Sequence, residues 1–321
     1  MRSRSPLLLV LTCMACHEPS TLVPPTVDED PTLPAVDLNG TRLHLEQSGA
    51  MDGTPIVFLH GGPGNDSAYL RPLGGTCPGG SLGDTHRLVF WDQRGTGLSR
   101  RHDPSEIGYD IYRDDLDAVV DHVDPDRTGV IFIGHSWGGA YAAEYLGRHP
   151  ERVRAAALLE PRALTEELDD GLPNAGTVDL ADEWVNDLVF SEELLTPDDH
   201  AVADLQILIA VRDAQTFRRQ LAPTPTLRLG AAVIHELIHE RFYPEHYNLA
   251  PNATAYPGEV LILASDDEGG DLSAPFQMRQ LDFFANPTLE VIRGGGHDDL
   301  ANAQACESVA HILQYFARVG A

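Results

Sequence analysis

The sequence predicts an α/β fold, a mostly parallel central sheet flanked by helices and interrupted by an inserted helical cap. Short apolar runs alternate with segments of helical spacing, a pattern typical of parallel strands joined by helical crossovers. The alternation stops at Pro161 and resumes at Val260. The 321 residues, 42% of them hydrophobic, suffice for one large domain with such an insertion.

The N-terminus predicts an exported protein. Residues 1–16 resemble a lipoprotein-type signal peptide, since two arginines precede an apolar core too short to span a bilayer and a small residue precedes Cys16. Residues 17–35 are rich in proline and predict an extended tether. We therefore expect a lipoprotein facing the periplasm, whose only membrane contact is a lipid on Cys16; plain secretion is the alternative.

The folded core is expected over residues 36–160 and 256–321, with the cap over 161–255. Runs rich in β-branched and other apolar residues predict the strands. The predicted strands lie around Leu43 and Leu45 and at 56–59, 88–91, 130–133, 153–159, 260–263 and 289–292. Helical spacing predicts helices at 109–122, after Ser136, and near 275–284 and 301–318.

The run Gly134-His135-Ser136-Trp137-Gly138-Gly139 joins a predicted strand to a predicted helix. Gly-x-Ser-x-Gly in this setting is a nucleophile elbow, a sharp turn that exposes the serine hydroxyl. Glycines are needed because strand and helix approach closely there. Ser136 is therefore the candidate nucleophile.

Three further motifs follow predicted strands: His60-Gly61-Gly62-Pro63-Gly64, Asp92-Gln93-Arg94-Gly95-Thr96-Gly97 and Gly294-Gly295-Gly296-His297. With the elbow, they make the chain resemble an α/β-hydrolase of the proline iminopeptidase branch, over about 36–160 and 256–321. His135 departs from that branch, which usually has glycine there. The resemblance implies an aminopeptidase acting on a peptide with a free N-terminal residue. Cap carboxylates would hold the substrate ammonium group, and the candidates are Glu183, Glu192, Glu193 and Glu236.

A serine hydroxyl needs a base and an oxyanion site. His297 is the candidate base, because the order serine, acid, histidine fits this fold. The acid is expected after the strand at 260–263. Counting back from the following helix selects Asp271, which we favour, and counting from the strand end selects Glu268. The backbone N–H groups of Gly62 and Trp137 are the expected oxyanion donors.

Two other patterns have a structural and a functional interpretation. His235-Glu236-Leu237-Ile238-His239 matches a zinc-peptidase motif, although an amphipathic cap helix is the interpretation we favour. The stretch from Asp92 to Ser99 is expected to be structural, with Arg94 and Asp92 bracing loops beside the site.

Composition limits the partners. The formal charge of -27, from 22 Lys and Arg against 49 Asp and Glu, disfavours nucleic acid. Beyond the signal, Cys77 and Cys306 would form one disulfide or stay as thiols.

The function predicted is a serine hydrolase that acts without a cofactor or metal on a small-molecule or short-peptide substrate. An aminopeptidase of proline iminopeptidase type is the first interpretation, and a carboxylesterase or lactonase is the alternative. A zinc peptidase using His235 and His239 and a non-catalytic binding protein are further alternatives.

Overall fold

The computed structural model describes residues 23–170, 197–215, 219–238 and 241–321. Within them, eight strands form one sheet in the order β1-β2-β4-β3-β5-β6-β7-β8. The strands are β1 (Ala35–Leu38), β2 (Thr41–Gly49), β3 (Pro55–Leu59), β4 (Arg87–Trp91), β5 (Val130–His135), β6 (Val153–Leu159), β7 (Glu259–Ser265) and β8 (Asn286–Ile292).

Strands β3 to β8 pair in parallel, and β1 and β2 add an antiparallel edge. Residues of β3 and β5 are buried throughout, as expected for strands covered on both faces. The predicted mostly parallel sheet is confirmed. Because β3 to β8 run in one direction, their carboxyl ends meet along one edge, where the motifs lie.

Helices cover both faces of this sheet. The described helices are α1 (Tyr109–Val123), α2 (Trp137–Arg148), α3 (Glu166–Asp169), α4 (Pro197–Gln215), α5 (Ala231–Ile238), α6 (Ala274–Gln277) and α7 (Ala305–Val319). Leu116 of α1 and Ala140 of α2 pack in one core cluster, whereas Val309 and Ile312 of α7 pack in the other. No helix in the described ranges is long and apolar enough to cross a bilayer.

Helices α3, α4 and α5 lie between β6 and β7. Ile207 of α4 packs with Leu229 and with Ala232 of α5 in a small apolar cluster of its own. Several residues named for this region, Glu183, Glu192, Glu193 and His239, lie outside the described residues, as do residues 1–16 with Cys16.

The prediction of an unpacked tether over 17–35 is wrong for its described part. Val27 is fully buried, and its backbone N–H donates to the carbonyl of Leu98 at 2.8 Å. The buried Arg228 binds the carbonyl of Pro24 at 2.8 Å and pairs with Glu29 at 3.1 Å. Apolar side chains between the prolines therefore anchor this segment on the domain.

Cys77 and Cys306 form a disulfide. It joins the loop before β4 to helix α7 across 229 residues of sequence. This pairing decides between the two states of the cysteines that the sequence left open.

Residues 219–230, which we call the strap, connect α4 to α5 and lie against loops at the carboxyl edge of the sheet. The side chains of Gln220 and Thr224 donate to Asp298 at 2.9 and 3.0 Å, and the backbone N–H of Leu221 donates to Asp299 at 3.0 Å. The strap is thereby fixed to the loop that carries His297.

The other end of the strap binds the loop that follows β3. Asp66 Oδ2 accepts the backbone N–H groups of Leu227 and Arg228 at 2.6 and 2.9 Å. The N–H of Gly230 donates to the carbonyl of Gly64 at 2.8 Å. Burial and the nearby Asp92 raise the pKa of Asp66 to about 7, although the N–H donors act in the opposite direction.

The raised pKa of Asp66 predicts a pH-dependent stability. Between about pH 4 and about pH 7, the folded protein holds a proton that the unfolded chain has released, so the free energy of unfolding falls as pH rises. We expect a fall of at most about 4 kcal/mol that is absent in Asp66→Asn. Urea unfolding across this range measures it, with Asp52→Asn, at an exposed position, as the control. Parallel curves for wild type and Asp66→Asn would contradict the assignment.

Candidate active site

Ser136 lies on the sharp turn between β5 and α2. Its backbone has φ 55° and ψ −120°, a conformation unfavourable for a residue with a side chain. A Cβ on Gly138 would lie 1.9 Å from the carbonyl oxygen of Leu59, and one on Gly134 would lie 2.4 Å from that of Gly138. Both glycines of the motif are therefore required, because a side chain at either position would collide with the neighbouring backbone. Ser136 itself is half-buried at the tip of this turn.

The end of β6 holds this turn on both sides. The N–H of Ser136 donates to the carbonyl of Leu159 at 3.0 Å, and the N–H of Arg162 donates to the carbonyl of Ser136 at 3.0 Å. Glu160 lies between these two contacts in sequence. The backbone thus places this carboxylate beside the elbow.

Glu160 is the carboxylate that contacts the candidate base. His297 Nδ1 lies 2.6 Å from Glu160 Oε2. The other oxygen, Oε1, accepts the backbone N–H and the hydroxyl of Ser265, each at 2.6 Å. Glu160 is 1% exposed, and its φ of 41° is again unusual for a non-glycine residue. A buried, hydrogen-bonded carboxylate fixes the ring of His297 with Nδ1 protonated and leaves Nε2 as the basic nitrogen.

The sequence analysis expected Asp271, or alternatively Glu268, to orient His297, and the structure adds Glu160 as a carboxylate bound to His297 Nδ1 that the sequence analysis did not consider. Strand β6 lies between β5 and β7 in the sheet, so its carboxyl end is nearer to the elbow than that of β7. The end of β7 contributes Ser265, which binds Glu160. Sequence reasoning considered only the carboxylates that follow β7 and therefore did not weigh Glu160.

The loop after β3 contains the expected oxyanion donor. The N–H of Gly61 already donates to the hydroxyl of Tyr69 at 2.6 Å, and Pro63 has no N–H, so Gly62 is the donor left between His60 and Pro63. Trp137 is the first residue of α2, where an N–H has no acceptor one turn earlier in the helix. A Cβ on Gly61 would lie 3.1 Å from the Cβ of Ser136, so this loop adjoins the nucleophile.

Gln93 links the motif of β3, the motif of β4 and the elbow. Its side-chain amide donates to the carbonyl of His60 at 3.0 Å and accepts the indole N–H of Trp137 at 3.0 Å. Its backbone N–H donates to His60 Nε2 at 3.0 Å. His60 is thus a bracing residue, and burial lowers its pKa, which favours the neutral ring.

Arg94 and Asp92, which the sequence analysis expected to brace loops, each bind a different partner. Arg94 forms a buried pair with Asp115, with two contacts of 2.8 Å. Asp92 instead binds His44 Nδ1 at 2.9 Å. Burial opposes ionisation of Asp92, but the hydrogen bond and charge of His44 hold its pKa below the usual range. Both carboxylates brace loops, as the structural interpretation of this stretch predicts.

The cap candidate in the described part is already engaged. Glu236 is buried, and its Oε1 lies 2.9 Å from Arg241 Nη2 and 3.0 Å from His235 Nδ1. The positive charge of Arg241 neutralises the negative charge of Glu236, which a substrate ammonium group would need as its partner. Glu236 is therefore poorly suited to binding a substrate ammonium group. It also binds Nδ1 of His235, one of the two histidines of the zinc-like motif.

One group in the described ranges has the spacing of metal ligands: His135, His297 and Asp298, whose ligand atoms lie within 4.8 Å of one another. His135 Nε2 lies 3.0 Å from the carbonyl oxygen of His297, which can only accept. His297 Nδ1 is occupied by Glu160. Since both imidazoles already have protein partners, we assign this group to the candidate active site.

The sequence is similar to those of known proteins. Residues 54–303 match the family model described as alpha/beta hydrolase fold. A cis-3-alkyl-4-alkyloxetan-2-one decarboxylase of Shewanella oneidensis is 34% identical over 127 residues, 39% of this chain and 37% of that protein. A proline iminopeptidase of Neisseria meningitidis is 38% identical over 120 residues, 36% of each chain. The matches thus span little more than a third of the length of these relatives.

Among solved structures, the enol-lactonase of Burkholderia xenovorans LB400 is similar with a TM-score of 0.59 at 16% identity, over 88% of this chain and 100% of that one. This likeness concerns the fold. Because the family model covers most of the sequence and the elbow lies at the expected strand end, the chain belongs to the α/β-hydrolase fold family.

Proposed function

We propose that the chain is a serine hydrolase that cleaves a small ester or amide through an acyl-enzyme on Ser136. The observation that carries the proposal is the contact of 2.6 Å between His297 Nδ1 and the buried Glu160. A carboxylate in that place orients the imidazole and stabilises the imidazolium formed during attack.

The residues take the following roles in the proposed reaction. His297 Nε2 accepts the hydroxyl proton of Ser136 as Oγ bonds to the substrate carbonyl carbon. The N–H groups of Gly62 and Trp137 stabilise the oxyanion. His297 then gives the proton to the leaving alkoxide or amine, and water repeats the sequence to release the acid.

For the substrate, we propose an aminoacyl compound of the type that proline iminopeptidases cleave. The resemblance of the four motifs and the similarity of 38% to such an enzyme support this class. The engagement of Glu236 by Arg241 favours a second candidate, a neutral ester or lactone, since it removes one candidate ammonium site.

The triad assignment predicts the effect of charge removal. Glu160→Gln should lower kcat by roughly 10³-fold to 10⁴-fold with KM little changed, because the imidazole loses its orienting charge. Asp271→Asn and Glu268→Gln, the matched controls, should keep kcat within a few-fold. The reaction rate with a serine-directed phosphonate gives the same comparison without a known substrate. Loss of reactivity in Asp271→Asn but not in Glu160→Gln would reverse the assignment.

The substrate class is tested with a matched pair that differs only in the ammonium group, proline p-nitroanilide and N-acetylproline p-nitroanilide, together with p-nitrophenyl acetate. An aminopeptidase should cleave the free amine with a kcat/KM at least about 10-fold higher than its acetylated form. Ester cleavage without cleavage of either anilide would instead support the second candidate. Ser136→Ala should abolish whichever turnover is found, and activity that persists in it would reject the serine mechanism.

We also propose that the protein is exported and held by a lipid on Cys16, facing the periplasm, with plain secretion as the alternative. The disulfide between Cys77 and Cys306 supports an oxidising compartment. The basic and apolar leader supports export.

The anchor predicts the form of the mature protein. Its N-terminal peptide should begin at Cys16 and carry the added mass of acyl chains in mass spectrometry of the membrane fraction. Cys16→Ser should lose the modification and leave that fraction. A mature wild-type chain that is unacylated or begins at another residue would contradict the anchor.

A further inference from the structure

His135, the residue between Gly134 and the nucleophile, has both ring nitrogens bound. Its Nδ1 lies 2.9 Å from the hydroxyl of Tyr69, and its Nε2 lies 3.0 Å from the backbone carbonyl oxygen of His297. The centroids of the His135 and His297 imidazole rings lie 4.4 Å apart. His135 is 2% exposed and therefore has little contact with solvent.

The partners determine the direction of each hydrogen bond. The carbonyl of His297 only accepts, so the proton is on His135 Nε2. Burial and the nearby His297 ring lower the pKa of His135 to about 3, so Nδ1 is unprotonated and accepts from Tyr69. The oxygen of Tyr69 in turn accepts the N–H of Gly61 at 2.6 Å. A single directed chain thus leads from Gly61 through Tyr69 and His135 to the backbone of His297.

This hydrogen-bonded chain connects the loop of the proposed oxyanion donor to the loop of the candidate base. Gly61 precedes the proposed oxyanion donor Gly62, and His297 lies on the loop after β8. Strands β6 and β7 separate β8 from the elbow strand β5 in the sheet, so the His297 loop must reach across two strand ends. A hydrogen bond to the backbone carbonyl of His297 is favourable there, because a small displacement of the imidazole from its reactive position lowers the rate.

We propose that His135 is a positioning residue for the hydrolytic reaction, which anchors the backbone of His297 and holds it in register with the oxyanion loop through Tyr69. The inference rests on the proposed function, because it assigns His135 an effect on His297 as base. His135 acts through the N–H donated from Nε2 and exchanges no proton with substrate. It thus gives a role to the position at which the chain departs from the glycine usual in proline iminopeptidases.

Two substitutions separate the two ring nitrogens. Glutamine places its amide near the position of Nε2 and can still donate to the carbonyl of His297. Asparagine places its amide near the position of Nδ1 and can still accept from Tyr69, but it does not reach His297. The rate of Ser136 labelling by a serine-directed phosphonate, kcat and KM for the cleaved substrate, and the melting temperature are measured for each.

We expect His135→Asn to lower kcat and the labelling rate by about 10-fold to 100-fold with KM nearly unchanged. The kcat and labelling rate of His135→Gln should stay within about 5-fold of the wild-type values. Its kcat/KM should change with pH in the same way as that of the wild type. Tyr69→Phe, which leaves the bond to His297, should lower kcat less than His135→Asn. Equal losses in the asparagine and glutamine variants, in proportion to their melting temperatures, would show a role in folding only and overturn the proposal.

If His135→Asn does not fold, the comparison of His135→Gln with His135→Ala decides. Recovery of kcat by the glutamine over the alanine at matched fractions of folded protein supports the anchor, and no recovery rejects it. Wild-type protein that fails to label at Ser136 rejects the proposed function and this inference with it. If the wild type is labelled at Ser136 and His135→Asn is labelled at the same rate, this inference alone is rejected.

Discussion

The buried carboxylate of Glu160 is the group on which the rest of the site depends. A charge at 1% exposure is unfavourable unless hydrogen bonds replace its water. Two donors come from Ser265 and one from His297, so both oxygens are satisfied. Because Glu160 directly follows β6, Ser265 is the last residue of β7 and His297 follows β8, this one group joins three strand ends. The contacts of Leu159 and Arg162 with Ser136 add the elbow after β5 as the fourth.

On the other side of the nucleophile, the bracing is by neutral groups. His60 and Gln93 bind each other twice, and Gln93 also binds the indole of Trp137. Such contacts fix the two loops that would supply the oxyanion donors before a substrate arrives. Preorganised N–H groups stabilise developing charge without reorganisation, which is the main advantage an enzyme has over water in acyl transfer. The chemistry proposed for Ser136 is therefore supported by side chains that bind the loops around it.

The sequence was sufficient to locate the sheet, but it did not single out Glu160 as a carboxylate beside His297. Apolar runs ended by glycine-rich or polar motifs locate strand ends well, since buried strands and tight turns have opposite residue preferences. Recognising that Glu160 lies beside His297 required the spatial order of the strands. The loop after β7 offers four carboxylates, Asp266, Asp267, Glu268 and Asp271, and counting along the chain favours them. The missed signal was Glu160 itself, a lone charge that directly follows the apolar run of β6. Val23 and Val27 were a similar signal among the prolines of the predicted tether.

Several of the acidic residues have a structural role, because they bind the strap. Asp66 and Asp299 are buried, and each accepts backbone N–H groups from residues 219–230, while Asp298 accepts side-chain donors from the same segment. A carboxylate accepts several N–H groups at once, which makes it suited to satisfying an irregular backbone that has no strand partner. These acids hold the cap to the loops on both sides of the nucleophile. Some of the acidic residues behind the formal charge of -27 therefore position the strap over the loops around Ser136. The net charge alone is for this reason a poor guide to the charge of a substrate.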